Sequence, residues 1–505
     1  MSVLTKPIKE LNTVKEAQRA LGKERSVALI SGCVDSEKWN MAAALSESVK
    51  DKIIVTYSDL RVKEIYEDYR MYDKNVRMFP EKDLIFYQAD VHGNKIAMER
   101  IASIKRILMG LPTTLITTFS GLMNLQVSLD TFKKSIVKLS VGGTISEDIL
   151  SEKLLSLGYE RIYQVERPGQ FSRRGCIIDV FDFTEENPYR IELWGDEISS
   201  IRSFDIESQR SIENLESITI YPATEIPLTE EAMQEGLVDI LKDSEAMVKK
   251  FRDAINPEAA HRLETITHET EEIINYIPWT FNKDSYIRYF YKDSEILSMA
   301  DYFESGMFIL DEPTRIIEHA DAVEKEFRES MKQRLEKGYL LPKQTDILLS
   351  KEEVLSKIGR GKVLILSTMQ PKLTYFKPDY QGNVNARSIP SYNNSFSDLI
   401  RELKNYKKRG FKVLILSGSH TRAKRLADDI AGEGISAFYS EDRNHELIPG
   451  EIMTMYGRVL KGFEYPDVPF AVIAESDIFG NVKKKKKSRF KQEGKGITDF
   501  NDLHV

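Results

Sequence analysis

Residues 32 to 39, Gly-Cys-Val-Asp-Ser-Glu-Lys-Trp, carry the frame of a phosphate loop, G-x-x-x-x-G-K-[ST], with Gly32 and Lys38 in place. In that chemistry backbone N–H groups cradle phosphate oxygens, the lysine reaches the terminal phosphates, and a hydroxyl holds magnesium. Two of the four defining positions differ. Glu37 stands in place of the second glycine, and Trp39 in place of the hydroxyl. A carboxylate about 4 Å from a phosphate charge costs ~4 kcal/mol at an effective dielectric near 20, or about three decades of affinity. The Cβ of Glu37 also crowds the approach that glycine permits. A second fragment of the same chemistry is Phe-Ile-Leu-Asp-Glu-Pro at 308–313, where Asp311 and Glu312 end an apolar run like the metal-site carboxylates of nucleotide hydrolases. No Q-x-x-G-R-x-x-R arginine-finger motif is present in the second half of the chain. Gly32, Lys38, Asp311 and Glu312 therefore read as a vestigial site, a nucleotide-binding skeleton without its cradle. The plainer alternative is a strand-to-helix turn that never held a nucleotide.

Other constellations fail at their first requirement. His268 begins His-Glu-Thr-Glu-Glu, with no second histidine four residues on, so H-E-x-x-H zinc chemistry is excluded. There is no G-x-S-x-G elbow. Cys33 and Cys176 are the only cysteines, too far apart in sequence and too few for a disulfide framework or a zinc cluster. The expectation is no catalytic residue, no metal and no cofactor in this chain. Lys483, Lys484, Lys485, Lys486 and Lys487, followed by Arg489 and Lys491, can touch DNA phosphates weakly and with strong salt dependence. The plainer account is a solvated linker, because Phe490 is their only aromatic neighbour and single-strand binders interleave several.

The remaining chemistry is that of recognition. In Asn-Pro-Tyr-Arg-Ile-Glu-Leu-Trp-Gly-Asp-Glu (187–197), strand alternation points Tyr189, Ile191 and Leu193 one way and Arg190, Glu192 and Trp194 the other. A tryptophan on the polar face either packs under a neighbouring loop or domain, or anchors a protein partner. Tryptophan and arginine are the types most enriched where truncation costs at least ~2 kcal/mol of binding. Arg174 and Arg190 would add two carboxylate-seeking forks beside that anchor.

These residues need elements to hold them. The chain of 505 residues is 41% hydrophobic and 30% charged, with a formal charge of −7, which suits several globular cores and argues against a nucleic-acid coat protein. No run approaches the ~18 apolar residues of a membrane span, and the N-terminus lacks a signal-peptide core, so a cytoplasmic protein is expected. Residues 1–135 alternate strand and helix patterns, as in Arg-Ser-Val-Ala-Leu-Ile-Ser-Gly and Asp-Lys-Ile-Ile-Val-Thr-Tyr-Ser, and predict a parallel α/β sheet. Residues 136–222 hold close-spaced strands with polar turns, a small β-rich module. Residues 223–350 are mostly helical with one strand, Gly-Met-Phe-Ile-Leu-Asp-Glu-Pro. Residues 351–480 read as a second α/β unit, in which Lys-Val-Leu-Ile-Leu-Ser occurs at 412–417 after an earlier copy at 362–367. Residues 481–505 are a basic linker by composition.

The block from Arg173 to Ile226, with Arg-Arg-Gly-Cys-Ile-Ile-Asp and Pro-Tyr-Arg-Ile-Glu-Leu-Trp at its heart, resembles the second domain of the transcription-repair coupling factor family and, less closely, the equivalent domain of UvrB. Supporting stretches are Phe-Pro-Glu-Lys-Asp-Leu-Ile-Phe-Tyr at 79–87, Gly-Arg-Val-Leu-Lys-Gly-Phe-Glu-Tyr at 457–465, and the closing Ile-Thr-Asp-Phe-Asn-Asp-Leu-His-Val. The resemblance implies a multidomain α/β chain: a degenerate RecA-like, UvrB-like domain with an inserted small β-rich domain, then a second α/β domain. It implies that the β module recruits UvrA through positions matching Arg174, Arg190 and Trp194, the last an aromatic position where phenylalanine is common. It implies further that RNA polymerase, DNA, ATP and Mg²⁺ belong to polymerase-binding and motor domains not in this sequence, so this segment is a non-catalytic platform, the basic linker leading towards the polymerase-binding module. A UvrB-like, ATP-dependent damage-verifying protein is the rival reading.

Overall fold

A computed structural model describes residues 3–82, 93–276, 278 and 281–480. The lysine run at 483–487 and the linker read at 481–505 lie outside the described residues.

The regular core begins with β1 (Ser26–Ser31), apolar on both faces and buried along nearly all its length. A turn at Gly32 leads into α1 (Glu37–Ser46), then β2 (Lys52–Thr56), α2 (Asp59–Tyr69), β3 (Val76–Met78), α3 (Gly93–Leu108) and β4 (Thr114–Thr118). Strands buried on both faces are what a helix-covered parallel sheet requires. The β-rich insert follows with β5 (Val137–Ser140), α4 (Glu147–Ser156), β6 (Glu160–Arg161), β7 (Gln170–Arg174), β8 (Ile177–Phe181), β9 (Tyr189–Trp194), β10 (Glu197–Phe204), β11 (Ser211–Asn214) and β12 (Ser217–Ile220). Next come α5 (Glu230–Asp253), α6 (Pro257–Tyr276), β13 (Met307–Asp311) and α7 (Pro313–Glu336), followed by β14 (Lys362–Leu366) and β15 (Tyr380–Asn383). The last part holds α8 (Phe396–Lys408), β16 (Lys412–Ser417), α9 (His420–Gly432), β17 (Phe438–Tyr439), β18 (Ile452–Tyr456), β19 (Phe463–Tyr465) and β20 (Phe470–Ala474).

The first sheet has seven strands in the order β15-β1-β14-β13-β2-β4-β3, parallel throughout. This corrects the expected unit at 351–480. Its first strand, β14, pairs with β1 from Ser26↔Lys362 to Ile30↔Leu366 and on its other side with β13, so residues 362–383 complete the first sheet rather than start the second. The second sheet has β16 at its centre, between β18 and β20. The repeated Lys-Val-Leu-Ile-Leu thus fills an inner position in two different sheets, both almost wholly buried.

All ten residues of α1 are buried. A helix apolar or small on every side belongs between layers, and α1 lies where the two sheets meet. Trp39, Met41 and Leu45 share one core with Leu414, Met453 and Phe470 of the second sheet. Polar groups seal the contact: Tyr465 Oη donates to Asn40 Oδ1 at 3.0 Å, and the Leu460 N–H donates to Asp68 Oδ1 at 2.5 Å.

The insert is a six-stranded sheet in the order β11-β10-β9-β8-β7-β6, antiparallel except for β6 with β7, and it carries a separate β5–β12 pair. Its core packs Leu150 and Leu154 of α4 onto Phe171, Ile178, Val180, Ile191 and Leu193. The exit from the module is tied to α3 by Arg100, fully buried, whose Nε donates to Glu225 at 2.9 and 3.0 Å. Among the described residues no helix is long and apolar enough to cross a membrane.

Candidate functional site

At the carboxyl end of β1 the chain turns at Gly32 with φ +81°, and a Cβ there would meet Val384 O at 2.4 Å and Asn383 Oδ1 at 2.7 Å. The first three amides of the loop are engaged inside the protein. Gly32 N–H donates to Thr368 O and Cys33 N–H to Ser367 O, both at 3.2 Å, and Val34 N–H donates to Glu37 Oε2 at 3.1 Å. Glu37 is wholly buried, and burial pushes its carboxyl up to about 7.

Lys38, Asp311 and Glu312 do come together, and they satisfy one another. Lys38 Nζ donates to Asp311 Oδ1 and to Glu312 Oε1, each at 2.7 Å, with the lysine side chain 3% exposed. Asp311 Oδ2 accepts from Arg61 Nε and Thr56 Oγ1, each at 3.0 Å. Burial acts to raise the Asp311 carboxyl, but Lys38 and Arg61 outweigh it and hold the group below its usual range. Burial likewise acts to lower Lys38, and Asp311 with Glu312 outweighs it, so the ammonium is held above its usual value. Glu312 adopts φ +59° at the start of α7, which lets its carboxylate reach the Thr368 N–H at 2.9 Å. Trp39, at the magnesium-hydroxyl position, is fully buried, with the Arg61 guanidinium 5.5 Å from its ring centre. Arg61 is the residue that sequence reading missed. It lies 250 positions from Asp311, and no local pattern links the two.

The second cluster lies on the open face of the β module. Arg190 stands directly opposite Asp179 across the β8–β9 pair. Its Nε donates to Asp179 Oδ1 at 2.7 Å, and its Nη2 to Asp179 Oδ2 at 2.8 Å and Gln209 Oε1 at 3.0 Å. The guanidinium also lies 4.2 Å above the Phe204 ring. Arg174 reaches the same carboxylate from β7, Nη2 to Oδ2 at 2.6 Å. The two carboxylate-seeking guanidinium groups thus share one buried carboxylate of the module itself. Asp179 was missed, although a lone acid in the apolar run Cys-Ile-Ile-Asp-Val-Phe was a visible signal.

Trp194 is 84% exposed, and among the described residues it packs under no loop or domain. It ends β9 at a two-residue hairpin, Gly195-Asp196, where Gly195 at φ +61° supplies the left-handed first position a type II′ turn needs. The hairpin is held firmly. Ile145 N–H donates to Asp196 O at 2.7 Å, and Leu193 N–H to Cys176 O at 2.8 Å. The Gly175-Cys176 turn lies at the same end of the sheet, so Arg174 and Trp194 face solvent together on one rim. Glu192 is engaged by Arg202 and by Ser200 Oγ, and Phe490 and the lysines lie outside the described residues. Among the described residues no cluster of three or more histidine, cysteine or acidic side chains can hold a metal.

The protein is thus a mixed α/β multidomain chain with a parallel sheet and a β-rich insert, and the insert is where a family match falls: the UvrB interaction domain covers residues 137–226. Along the whole chain the similarity is to transcription-repair-coupling factors. That of Bacillus subtilis (strain 168) is 29% identical over 514 residues, covering 99% of this chain and 42% of the relative. That of Staphylococcus aureus (strain bovine RF122 / ET3-1) is 25% identical, covering 100% of this chain and 43% of the relative. The likeness read from the sequence therefore extends over the full chain, which spans less than half the length of these relatives.

Proposed function

We propose that this chain is a segment of a cytoplasmic transcription-repair coupling factor whose β-rich module docks UvrA, linking stalled transcription to nucleotide excision repair. The observation that carries the reading is Trp194: a large apolar side chain, 84% exposed, on a rigid hairpin rim beside a guanidinium group, within the stretch that matches the UvrB interaction domain. An exposed aromatic on a pre-ordered strand end loses little conformational freedom on binding, and its burial supplies hot-spot energy. The module hangs on the parallel-sheet core through Arg100 and Glu225, which suits a platform that presents the face without moving it.

The first sheet reads as a degenerate RecA-like, UvrB-like domain. That is supported by the placement of Gly32, Lys38, Asp311 and Glu312 at the carboxyl ends of β1 and β13. ATP with magnesium does not fit there, because the amides of Gly32, Cys33 and Val34, the lysine and both carboxylates are already paired inside the fold. The segment therefore acts without catalysis. The resemblance would assign RNA polymerase displacement, DNA translocation and ATP hydrolysis to the part of the relatives' length that this chain does not span. The rival reading, ATP-dependent damage verification, needs the cradle that these pairs close. Calorimetry with Mg·ATP separates the two: no heat of binding is expected, and saturable micromolar binding overturns the reading.

The docking test is direct. With UvrA on a sensor surface, Trp194→Ala is expected to weaken binding at least about tenfold, the loss of roughly 1.4 kcal/mol or more of anchor energy. Wild-type affinity in the Trp194→Ala, Arg174→Ala double variant would overturn the proposal.

A further inference from the structure

We infer that the amino-terminal edge of the first sheet binds the phosphodiester backbone of a nucleic acid, at a site built on Arg77 and Arg106 and separate from the closed loop at the sheet's other end. Arg77 lies on β3, the edge strand, and Arg106 in the last turn of α3, which packs beside it. Neutral oxygens hold both. Arg106 Nη2 donates to Asn75 Oδ1 at 2.9 Å and to Pro112 O at 2.8 Å, and Arg77 Nη1 donates to Val76 O at 2.7 Å and Lys74 O at 3.3 Å. The Arg106 Nε is buried and has no acceptor among the described residues. Burial and the like charge of Arg77 hold the Arg106 guanidinium below its usual value, and only Asp73 acts against them.

The edge as a whole keeps positive charge. Among the described residues Lys50, Lys74, Arg77 and Arg106 form no ion pair, while the nearby acids are engaged: Asp73 by Lys52 at 3.3 Å, Glu47 by Lys9, and Asp51 by the Thr113 N–H at 3.0 Å. Asn75 and Pro112, which hold Arg106, also line an open cavity of about 450 Å³ with Lys50 on its wall. A cation in the last turn of a helix is favoured by the helix end alone, but that accounts for one of the four. On a chain of net charge −7, a polyanion settles most readily where such charge is left over. Guanidinium edges and ammonium groups without acids are the contacts that phosphate oxygens take. No aromatic ring is exposed on β3, α3 or the turns at 47–52 and 109–113 among the described residues, so the edge lacks the anchor around which a protein interface is built.

Salt-dependent binding tests the site. Fluorescence anisotropy with the full chain measures affinity for a DNA duplex of about 20 base pairs and for one of its strands, across salt concentration. The Arg77→Gln, Arg106→Gln double variant is expected to bind about tenfold more weakly, with the slope of log K against log salt less steep by about 1.8 for a duplex or about 1.4 for a single strand. The form of DNA that shows the loss is the one the edge holds. Arg77→Gln alone leaves the Asn75 and Pro112 ties of Arg106 in place and should change the slope by about half as much, which separates lost contacts from misfolding. Lys404→Gln with Lys407→Gln removes two exposed charges from α8 instead and should leave the slope unchanged. An unchanged slope in the arginine double variant, or an equal change in the α8 variant, overturns the site. Polyglutamate that binds with the same dependence on Arg77 and Arg106, where DNA does not, makes the ligand an acidic protein segment and overturns the phosphodiester assignment. UvrA does not enter these measurements, so their failure leaves the docking reading standing.

Discussion

The pairing of Lys38 with Asp311 predicts that the phosphate-loop lysine now serves stability. Lys38→Met keeps most of the aliphatic stem and deletes the ammonium. Asp311 is left with Arg61 and Thr56 on Oδ2 and no donor on Oδ1, in a site with no solvent exposure. Glu312 keeps the Thr368 donors and is less affected. Removing one partner of a buried ion pair costs ~3–5 kcal/mol, and because Arg61 still compensates Asp311 the low end applies, about 3 kcal/mol. In a domain of this size each kcal/mol lowers Tm by roughly 2–4 °C, so the transition that unfolds the first sheet should fall by on the order of 10 °C. Differential scanning calorimetry resolves it, since a multidomain chain melts in more than one step. Adding Asp311→Asn to Lys38→Met should recover part of the loss by removing the uncompensated charge. A Lys38→Met protein that melts within about 2 °C of wild type, or a wild-type Tm that rises with Mg·ATP, would show the lysine facing an open ligand site and refute the account.

Further outcomes follow from the same geometry. Burial pushes the Glu37 and Asp68 carboxyls up to about 7, so their contribution to stability is complete below the unfolded carboxylate range and is lost as pH rises to about 7. Tm should therefore fall between pH 5 and 7.5, and Glu37→Gln with Asp68→Asn should flatten that slope. Asp311 and Glu312, held low, act with the opposite sign and lose their contribution only as pH drops below the usual carboxylate range. Gly32→Ala must place a methyl 2.4 Å from Val384 O at φ +81°, and should cost several kcal/mol, read as a drop in the denaturant midpoint. Trp194→Ala should leave the melting curve unchanged while binding falls, since the ring packs against little of its own fold.

Much of the fold was legible because its signals are local. The apolar runs of β1 and β2, the close-spaced strands of the insert and the alternation that turns Trp194 outward are all periodicities within ten residues. What escaped was the assignment of strands to sheets. Lys-Val-Leu-Ile-Leu at 362–366 and 412–416 carries identical side chains into inner positions of different sheets, so nothing inside the pentapeptide distinguishes them. At the sites, residue types and faces were readable, but not the partners: Arg61 finds Asp311 only after elements 250 positions apart are brought together, and Asp179 finds both arginines only through the register of the consecutive strands β7, β8 and β9.

Strand β1 has only two neighbours, β14 and β15, and both come from residues 362–383. At ribosomal rates of ~5–20 residues per second, the roughly 340 residues between Ser26 and Lys362 take on the order of 20–70 s to emerge. For that time one of the most apolar strands in the molecule has neither edge covered, while the insert, built from hairpins, can close on itself. Nascent chains should therefore display a finished β-rich insert on an unfinished base, and chaperone occupancy during synthesis should concentrate on residues 26–31.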